Sequence, residues 1–534
     1  MTESDKPRLR TRIWKRVRRV IVTLFVIQTI LVAGLAIYIA LGNRAGRRDA
    51  EQVLADLRTR GLPVSRAEIY GQADPDSKKA GHLLSAAEEI VEVDAGKYED
   101  LPHVGVKGQP LALCEPVGPE LIGKLRTFSQ DHRRYFALLD ELRRLDVRLP
   151  LADLYALEQP ALPPGERTMS LARKYLALSL LAQAEGRPGD AIRLCGHMAS
   201  LNRLFDGQPS LLVALCQAGV DAAAQAGIEE ALSRTTPKPQ DLRSVQKILL
   251  AEDARIDLQE MYKGEMATLA EALADPELMD LAKARDVHAV MLAQSWAEDL
   301  RERFQDLARD SRVTIPVASR TRVRLWLGVY WSWYSVCPGA FQSLYARNIR
   351  DSIAGHEMVA APLPAPARQV KDRFELEKDP EVRLTLRGVQ MILRGKACVR
   401  VAIVALAVEL YRIEHGKWPE KLADVGESLP MDPFTGEPMR YEPTADGRLI
   451  YSIGMDLEDD GGKDDRDISD DVTFRLFDPD RRNKPRPPPI TGGSPAILPG
   501  PGQDALDPEA LEATTDPRVR GVRETTEDDR AGGE

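Results

Sequence analysis

A chain of 534 residues offers roughly two to four compact units at the usual domain size. A formal net charge of -9 argues against a general nucleic-acid binder, whose footprint is basic. The five cysteines, Cys114, Cys195, Cys216, Cys337 and Cys398, form no C-x-x-C pair and no Cys/His spacing, which argues against zinc and reads as buried thiols.

Charge is unevenly placed along the chain. Residues 1–19 form a basic segment, with eight cations between Lys6 and Arg19. An uncharged apolar run of 22 residues, Val20 to Leu41, follows. It is long enough to cross a hydrocarbon core of ~30 Å as a helix. Beyond it come only Arg44, Arg47 and Arg48. The excess of cations on the N-terminal side predicts a single-pass anchor in a cytoplasmic membrane. The N-terminus would lie in the cytoplasm and the bulk of the chain outside, in a periplasm-like compartment. The run exceeds the apolar region of a cleaved signal peptide, so the anchor is expected to be retained.

From residue 47 to 360 the pattern is that of a helical body, rich in alanine, leucine, arginine and glutamate. Arg47–Gly61, Gly81–Val93 and Pro119–Asp146 read as amphipathic helices separated by Gly- or Pro-containing breaks. Arg167–Glu185 places Met169, Ala172, Leu176 and Leu180 on one face, Gly186–Gly189 turns, and Asp190 is expected to cap the next helix. This pair resembles one tetratricopeptide-like unit, and a looser pair follows over Leu211–Ser233 and Asp241–Ala251. No period runs through three copies, so the body is expected to be an irregular helical bundle or solenoid. Within it, residues 320–346 concentrate Trp326, Trp331 and Trp333 behind Arg320, Arg322 and Arg324. A core or docking helix is expected there, with a helix lying on the membrane surface as the alternative.

Residues 361–379, opening with Ala-Pro-Leu-Pro-Ala-Pro, read as a linker. In residues 380–478 a helix ending near His415-Gly416 gives way to short alternating segments, Met439–Glu442, Arg448–Ile453 and Val472–Leu476. Asp446-Gly447 predicts a hairpin between the first two. The fold class is therefore mainly α: an N-terminal transmembrane helix, a helical bundle or solenoid, and a small C-terminal α+β module with a short antiparallel sheet. Residues 479–534 are rich in proline, glycine and charge and read as a disordered tail.

The order of motifs in this module is Tyr411-x-x-x-x-Gly416-x-Trp418-Pro419, Asp432-Pro433-Phe434-Thr435-Gly436, Ser452-Ile453-Gly454-Met455-Asp456, then Gly461-Gly462 and Asp467. It resembles the globular domain of the major pseudopilin of type II secretion, over about a seventh of the chain. The resemblance implies a helix packed on a small sheet, and a calcium-binding loop after the second strand. The anchor carries no glutamate near its start, and several hundred residues separate it from the module. What the resemblance implies is thus the module's fold and ion site rather than assembly into a pseudopilus.

The acidic loop also has a reading of its own. Calcium takes six to eight oxygen ligands on a flexible loop with glycine at the sharp turn. With Asp456 as position 1, Glu458 falls at 3, Asp460 at 5, Gly461 at 6 and Asp467 at 12, close to an EF-hand spacing although the flanks are strands. Asp456, Glu458, Asp460 and Asp467 are the expected metal ligands and calcium the expected ion, against a solvated acidic turn as the plain reading. No nucleophile elbow, complete P-loop or zinc-protease helix occurs. The sequence thus points to an exported scaffold or interaction protein whose partners are the lipid bilayer and other exported or membrane proteins. The alternatives are an exported enzyme with its site in the helical body, and a component of a secretion-like apparatus.

Overall fold

The computed structural model describes residues 6–65, 67–70, 76–93, 97–105, 108, 111–145, 164–205, 211–274, 338–360, 362–376, 380–426, 428–463 and 471–484. Among these the chain is mostly helical, with thirteen α-helices and one three-stranded antiparallel sheet. In chain order they are α1 (Lys6–Thr59), α2 (Ala67–Tyr70), α3 (Ser77–Val93), α4 (Pro119–Asp131), α5 (Arg133–Arg144), α6 (Pro164–Ala184) and α7 (Pro188–Ser200). There follow α8 (Leu211–Arg234), α9 (Pro239–Arg255), α10 (Leu258–Ala274), α11 (Pro338–Val359), α12 (Ala365–Leu376) and α13 (Pro380–His415). The strands are β1 (Arg440–Thr444), β2 (Gly447–Ser452) and β3 (Val472–Phe477). The chain divides into two compact units: Met1–Gln72 with Leu258–Ala360 and Glu377–Leu384, and Ala73–Asp257 with Ala361–Leu376 and Thr385–Glu534.

In the first unit α1 runs 54 residues without a break, about 80 Å at the helical rise. The separate helix expected from Arg47 is the continuation of the anchor, because Gly42 and Asn43 are helical. One glycine costs a helix only about 1 kcal/mol, and tertiary packing just beyond it offsets that cost. Gly46, Ala50, Val53 and Leu57 recur at spacings of four, three and four, and all are buried. They pack against α11, which offers Ala346, Ile349 and Ile353. From Phe25 to Leu41, by contrast, the described apolar side chains are nearly all exposed, and α1 is the one described helix long and apolar enough to cross a membrane. On its other side α11 meets α10. There Gly355 lies so close to Tyr262 that a Cβ would come within 2.4 Å of its ring.

In the second unit α6, α7 and α8 pack mutually, and α9 lies on α7. The turn after α6 is closed by Gly186 in the left-handed region (φ 69°), with the Arg187 N–H donating to Ala182 O at 2.9 Å. That is a Schellman-type ending, which glycine makes without steric cost. Asp190 does not cap α7. Pro188 opens that helix, and Asp190 sits in its first turn, accepting from Arg187 at 2.7 Å and Arg193 at 2.5 Å. The segment expected as one helix over 119–146 is two, α4 and α5, parted at His132.

Helix α13 is the axis of this unit. From Ala397 to Leu410 every residue except Arg400 is buried, and all but Arg400 and Glu409 are apolar, so the apolar surface runs round the helix rather than along one stripe. It stops at His415, with Gly416 at φ 70° as the expected terminator. The sheet order is β1-β2-β3; the expected β1–β2 hairpin forms, but its turn is Ala445-Asp446, one residue before the expected Asp446-Gly447, because Gly447 already pairs with Thr444 as the first residue of β2. The outer edge of β3 is covered: Gln225 Nε2 donates to Thr473 O at 2.9 Å, and Glu229 Oε1 accepts from Arg475 N–H at 2.8 Å. Two residues one turn apart on α8 thus satisfy a strand edge that would otherwise invite pairing. The small sheet and the helical hairpins therefore share one unit. Of residues 361–379, expected as a linker, Ala365–Leu376 form the helix α12. All four described cysteines are buried. The aromatic segment up to residue 337, including Cys337, and residues 485–534 lie outside the described residues; residues 479–484, expected as the start of a disordered tail, are instead held in place, because the buried Arg482 bonds Glu409 and Phe477 O.

Candidate functional site

The acidic loop is held between the ends of β2 and β3, and its setting begins at the Asp432 turn. The Asp432 carboxylate is buried and accepts three hydrogen bonds: from Phe434 N–H (2.8 Å), Ser452 Oγ (3.0 Å) and Ile453 N–H (3.2 Å). Two motifs twenty residues apart in sequence thus meet in space. Asp432 shapes its own turn and fixes the point where β2 leaves the sheet.

After Gly454 (φ 69°), the chain rises into the loop. Asp456 is half-buried, and its Oδ1 accepts from Glu458 N–H at 3.0 Å. Burial raises the Asp456 pKa, and the charges of Asp460 and Glu458 add to the rise. Its carbonyl oxygen accepts from Lys371 Nζ of α12 at 2.6 Å, so one internal cation already lies against the loop. Glu458 and Asp460 are exposed. Asp459 is turned to the sheet, with Oδ1 accepting from Tyr451 Oη and Gly461 N–H (3.1 Å each) and Oδ2 from Arg440 Nε (3.3 Å). Burial works against its charge, yet these donors hold its pKa below the usual carboxylate value.

Two consecutive left-handed glycines, Gly461 (φ 70°) and Gly462 (φ 69°), reverse the chain. Gly461 faces open space, whereas a Cβ on Gly462 would stand 2.5 Å from Leu449 Cδ2. This close approach puts the Gly462 N–H against Asp471, whose Oδ2 accepts it at 2.7 Å. Asp471 is 1% exposed, and its Oδ1 has no hydrogen-bond partner among the described residues. Burial pushes its pKa up to about 7, reinforced by the charges of Asp459, Asp460 and Asp456 and only partly offset by the Gly462 N–H. A buried carboxylate with an idle oxygen and three acidic neighbours is costly unless a proton or a cation neutralises it.

Of the expected ligands, Asp456, Glu458 and Asp460 lie together on this loop, and Asp467 lies outside the described residues. Among the described residues no group of three or more His, Cys, Asp and Glu is placed so that it could hold a metal ion. Asp471 is the residue that sequence reasoning missed. Its place just before the β3 run is the signal that it could turn inward.

A second concentration of charge surrounds α13 and is structural in character. Asp221 of α8 is buried, accepts from Asn202 Nδ2 at 2.9 Å, and is pushed up to about 7 by burial. Lys396 donates to Asp253 O (2.5 Å) and Ile256 O (3.4 Å), closing the carbonyl end of α9. Arg400 joins Asp253 Oδ1 (2.8 Å) to Met431 O (2.7 Å), tying α9 to the Asp432 turn. These contacts lock helices and loop together, and every polar group named spans two elements.

No family model, curated protein or solved structure matches the chain.

Proposed function

We propose that this chain is a membrane-anchored, extracytoplasmic scaffold or interaction protein whose C-terminal module is stabilised by calcium. The carrying observation is Asp471: a buried carboxyl oxygen without a partner among the described residues, beneath a loop bearing Asp456, Glu458 and Asp460. Oxygen-only donors on a glycine-turned loop suit a hard cation of calcium's size. Asp456, Asp460 and Asp471 would supply its carboxylates, with Glu458 and Asp467 completing the set. The ion would neutralise the crowded charges and hold the loop to the sheet, a structural role. The pseudopilin-like order of motifs supports the same reading of the module. The basic N-terminal segment supports a cytoplasmic N-terminus and an exported body.

The scaffold reading is supported by what surrounds the module: helical hairpins in which Lys396 and Arg400 tie one element to another. Its test is the melting temperature of the full chain in detergent, with calcium and with chelator. A saturable rise with calcium, absent with magnesium, is expected. A chain that melts identically in calcium and chelator would contradict the reading.

A further inference from the structure

Beyond the scaffold reading, the first unit carries an interaction surface of its own. Because α1 is unbroken through Leu41, every residue after the apolar run has a fixed height above it. At the helical rise, Arg44, Arg47 and Arg48 stand about 4.5, 9 and 10.5 Å beyond Leu41. The polar headgroup zone of a bilayer extends about 5–7 Å beyond the hydrocarbon, and arginine stems reach back toward it.

The direction of these residues is fixed as well. Positions 44, 47 and 48 are spaced i, i+3 and i+4, so they share one face of α1. The packing stripe Gly46, Ala50, Val53 and Leu57 occupies the opposite face and is buried against α11. All three arginines are exposed and point away from α11. None has a hydrogen bond or ion pair among the described residues. Farther along the same helix pair the polar groups are engaged: Asp49 accepts from Ser343 Oγ at 2.8 Å and lies 3.9 Å from Arg350, and Arg60 pairs with Asp56 and Glu357. Among the described residues, carboxylate partners are found above the headgroup zone and none pairs with the arginines at it.

The same contacts show that α11 runs parallel to α1, since Ser343 meets Asp49 and Glu357 meets Arg60. Pro338, five residues before Ser343, therefore lies at about the height of Arg44. With α1 as a membrane span, the helix pair would stand at the membrane surface with its arginine face beside it.

We propose that Arg44, Arg47 and Arg48 form a collar that binds the phosphates of anionic lipids in the leaflet next to the body. A guanidinium offers a planar pair of donors that matches a phosphodiester. This occupant also accounts for cations on the side of the anchor where topology disfavours them. The proposal rests on the reading of α1 as a membrane-spanning helix.

The test uses the full chain in nanodiscs of phosphatidylcholine with and without phosphatidylglycerol. Native mass spectrometry then counts the anionic lipids retained on release. The wild type is expected to retain phosphatidylglycerol in preference to phosphatidylcholine. A triple Arg44→Gln, Arg47→Gln, Arg48→Gln variant should lose at least about tenfold of that preference. A triple lysine variant should keep part of it, and Arg58→Gln, higher on α1, should keep all. The basic residues before the anchor are common to every variant, so the difference isolates the collar. Equal retention by the wild type and the triple glutamine variant would overturn the proposal. Resistance of the same chain to alkaline carbonate extraction is measured alongside. A chain released by carbonate fails as an anchored protein, which is distinct from an anchored chain whose arginines ignore lipid charge.

Discussion

Arg482 offers the sharpest test of how the second unit is held together. Its guanidinium makes a two-pronged pair with Glu409 (2.8 and 2.9 Å), donates Nε to Phe477 O (2.9 Å), and reaches Thr235 O and Thr236 Oγ1 (3.1 Å each). One side chain thereby joins α13, the end of β3 and the end of α8. Glu409 is fully buried, and its pKa is lowered despite burial because Arg412 and Arg482 both donate to it. Arg482→Ala leaves Glu409 with Arg412 alone and strips donors from two backbone carbonyls. Removing one partner of a buried pair costs about 3–5 kcal/mol, and the retained Arg412 pair places this variant near the lower end. The measurement is urea unfolding of the full chain in detergent, followed by circular dichroism. In an Arg482→Met, Glu409→Leu double variant the buried Glu409–Arg482 pair is removed whole and, of the charged groups, only Arg412 loses a partner, so it should be less destabilised than the sum of the two single variants. A cost below about 1 kcal/mol for Arg482→Ala, or strict additivity in the double variant, would refute the reasoning.

Other expectations follow from single contacts. Asp221 has its pKa raised from 3.8 to about 7 in the folded chain, so the unfolded state releases its proton first. The contribution of this group is greatest below its unfolded pKa and is lost as pH climbs toward 7. Asp221→Asn should remove that decline, and unfolding of both proteins at several pH values would show it as a flatter profile. Gly395→Ala would set a Cβ 2.5 Å from the Ala218 Cβ and 2.8 Å from its backbone, so a loss of about 1–3 kcal/mol is expected in urea unfolding. Gly462→Ala combines a left-handed backbone with a collision at Leu449, whereas Gly461→Ala meets only the backbone cost. Thermal melting of the two variants should rank Gly462→Ala as the more damaging.

The elements that sequence made legible are those with a local cause. A 22-residue uncharged run, an Asp446-Gly447 pair that marks the β1–β2 hairpin to within one residue, alternating strands and a glycine after His415 each dictate their structure within a few residues. The misread places have causes lying elsewhere in the chain. Gly42-Asn43 reads as a break until the burial of Ala50, Val53 and Leu57 by α11, almost three hundred residues later, is known. Asp190 has a capping residue's chemistry, but Pro188 starts the helix two residues earlier. The candidate site divides in the same way. Spacing showed Asp456, Glu458 and Asp460 on one loop. Asp471 needed the fold of Gly461-Gly462 to be brought beneath them, and Lys371 needed α12. The cover that α8 gives to β3 was equally out of reach, because Gln225 and Glu229 read as ordinary helix polar residues until Thr473 and Arg475 face them.

The most direct test of the central claim is equilibrium calcium binding to the full chain in detergent, compared with its Asp471→Asn and Asp456→Asn variants. The account expects saturable binding by the wild type, marked weakening in Asp456→Asn, and the largest loss in Asp471→Asn, whose Oδ1 is buried without a hydrogen-bond partner among the described residues. Saturable binding that both variants retain in full, or none by a folded wild type, would contradict it.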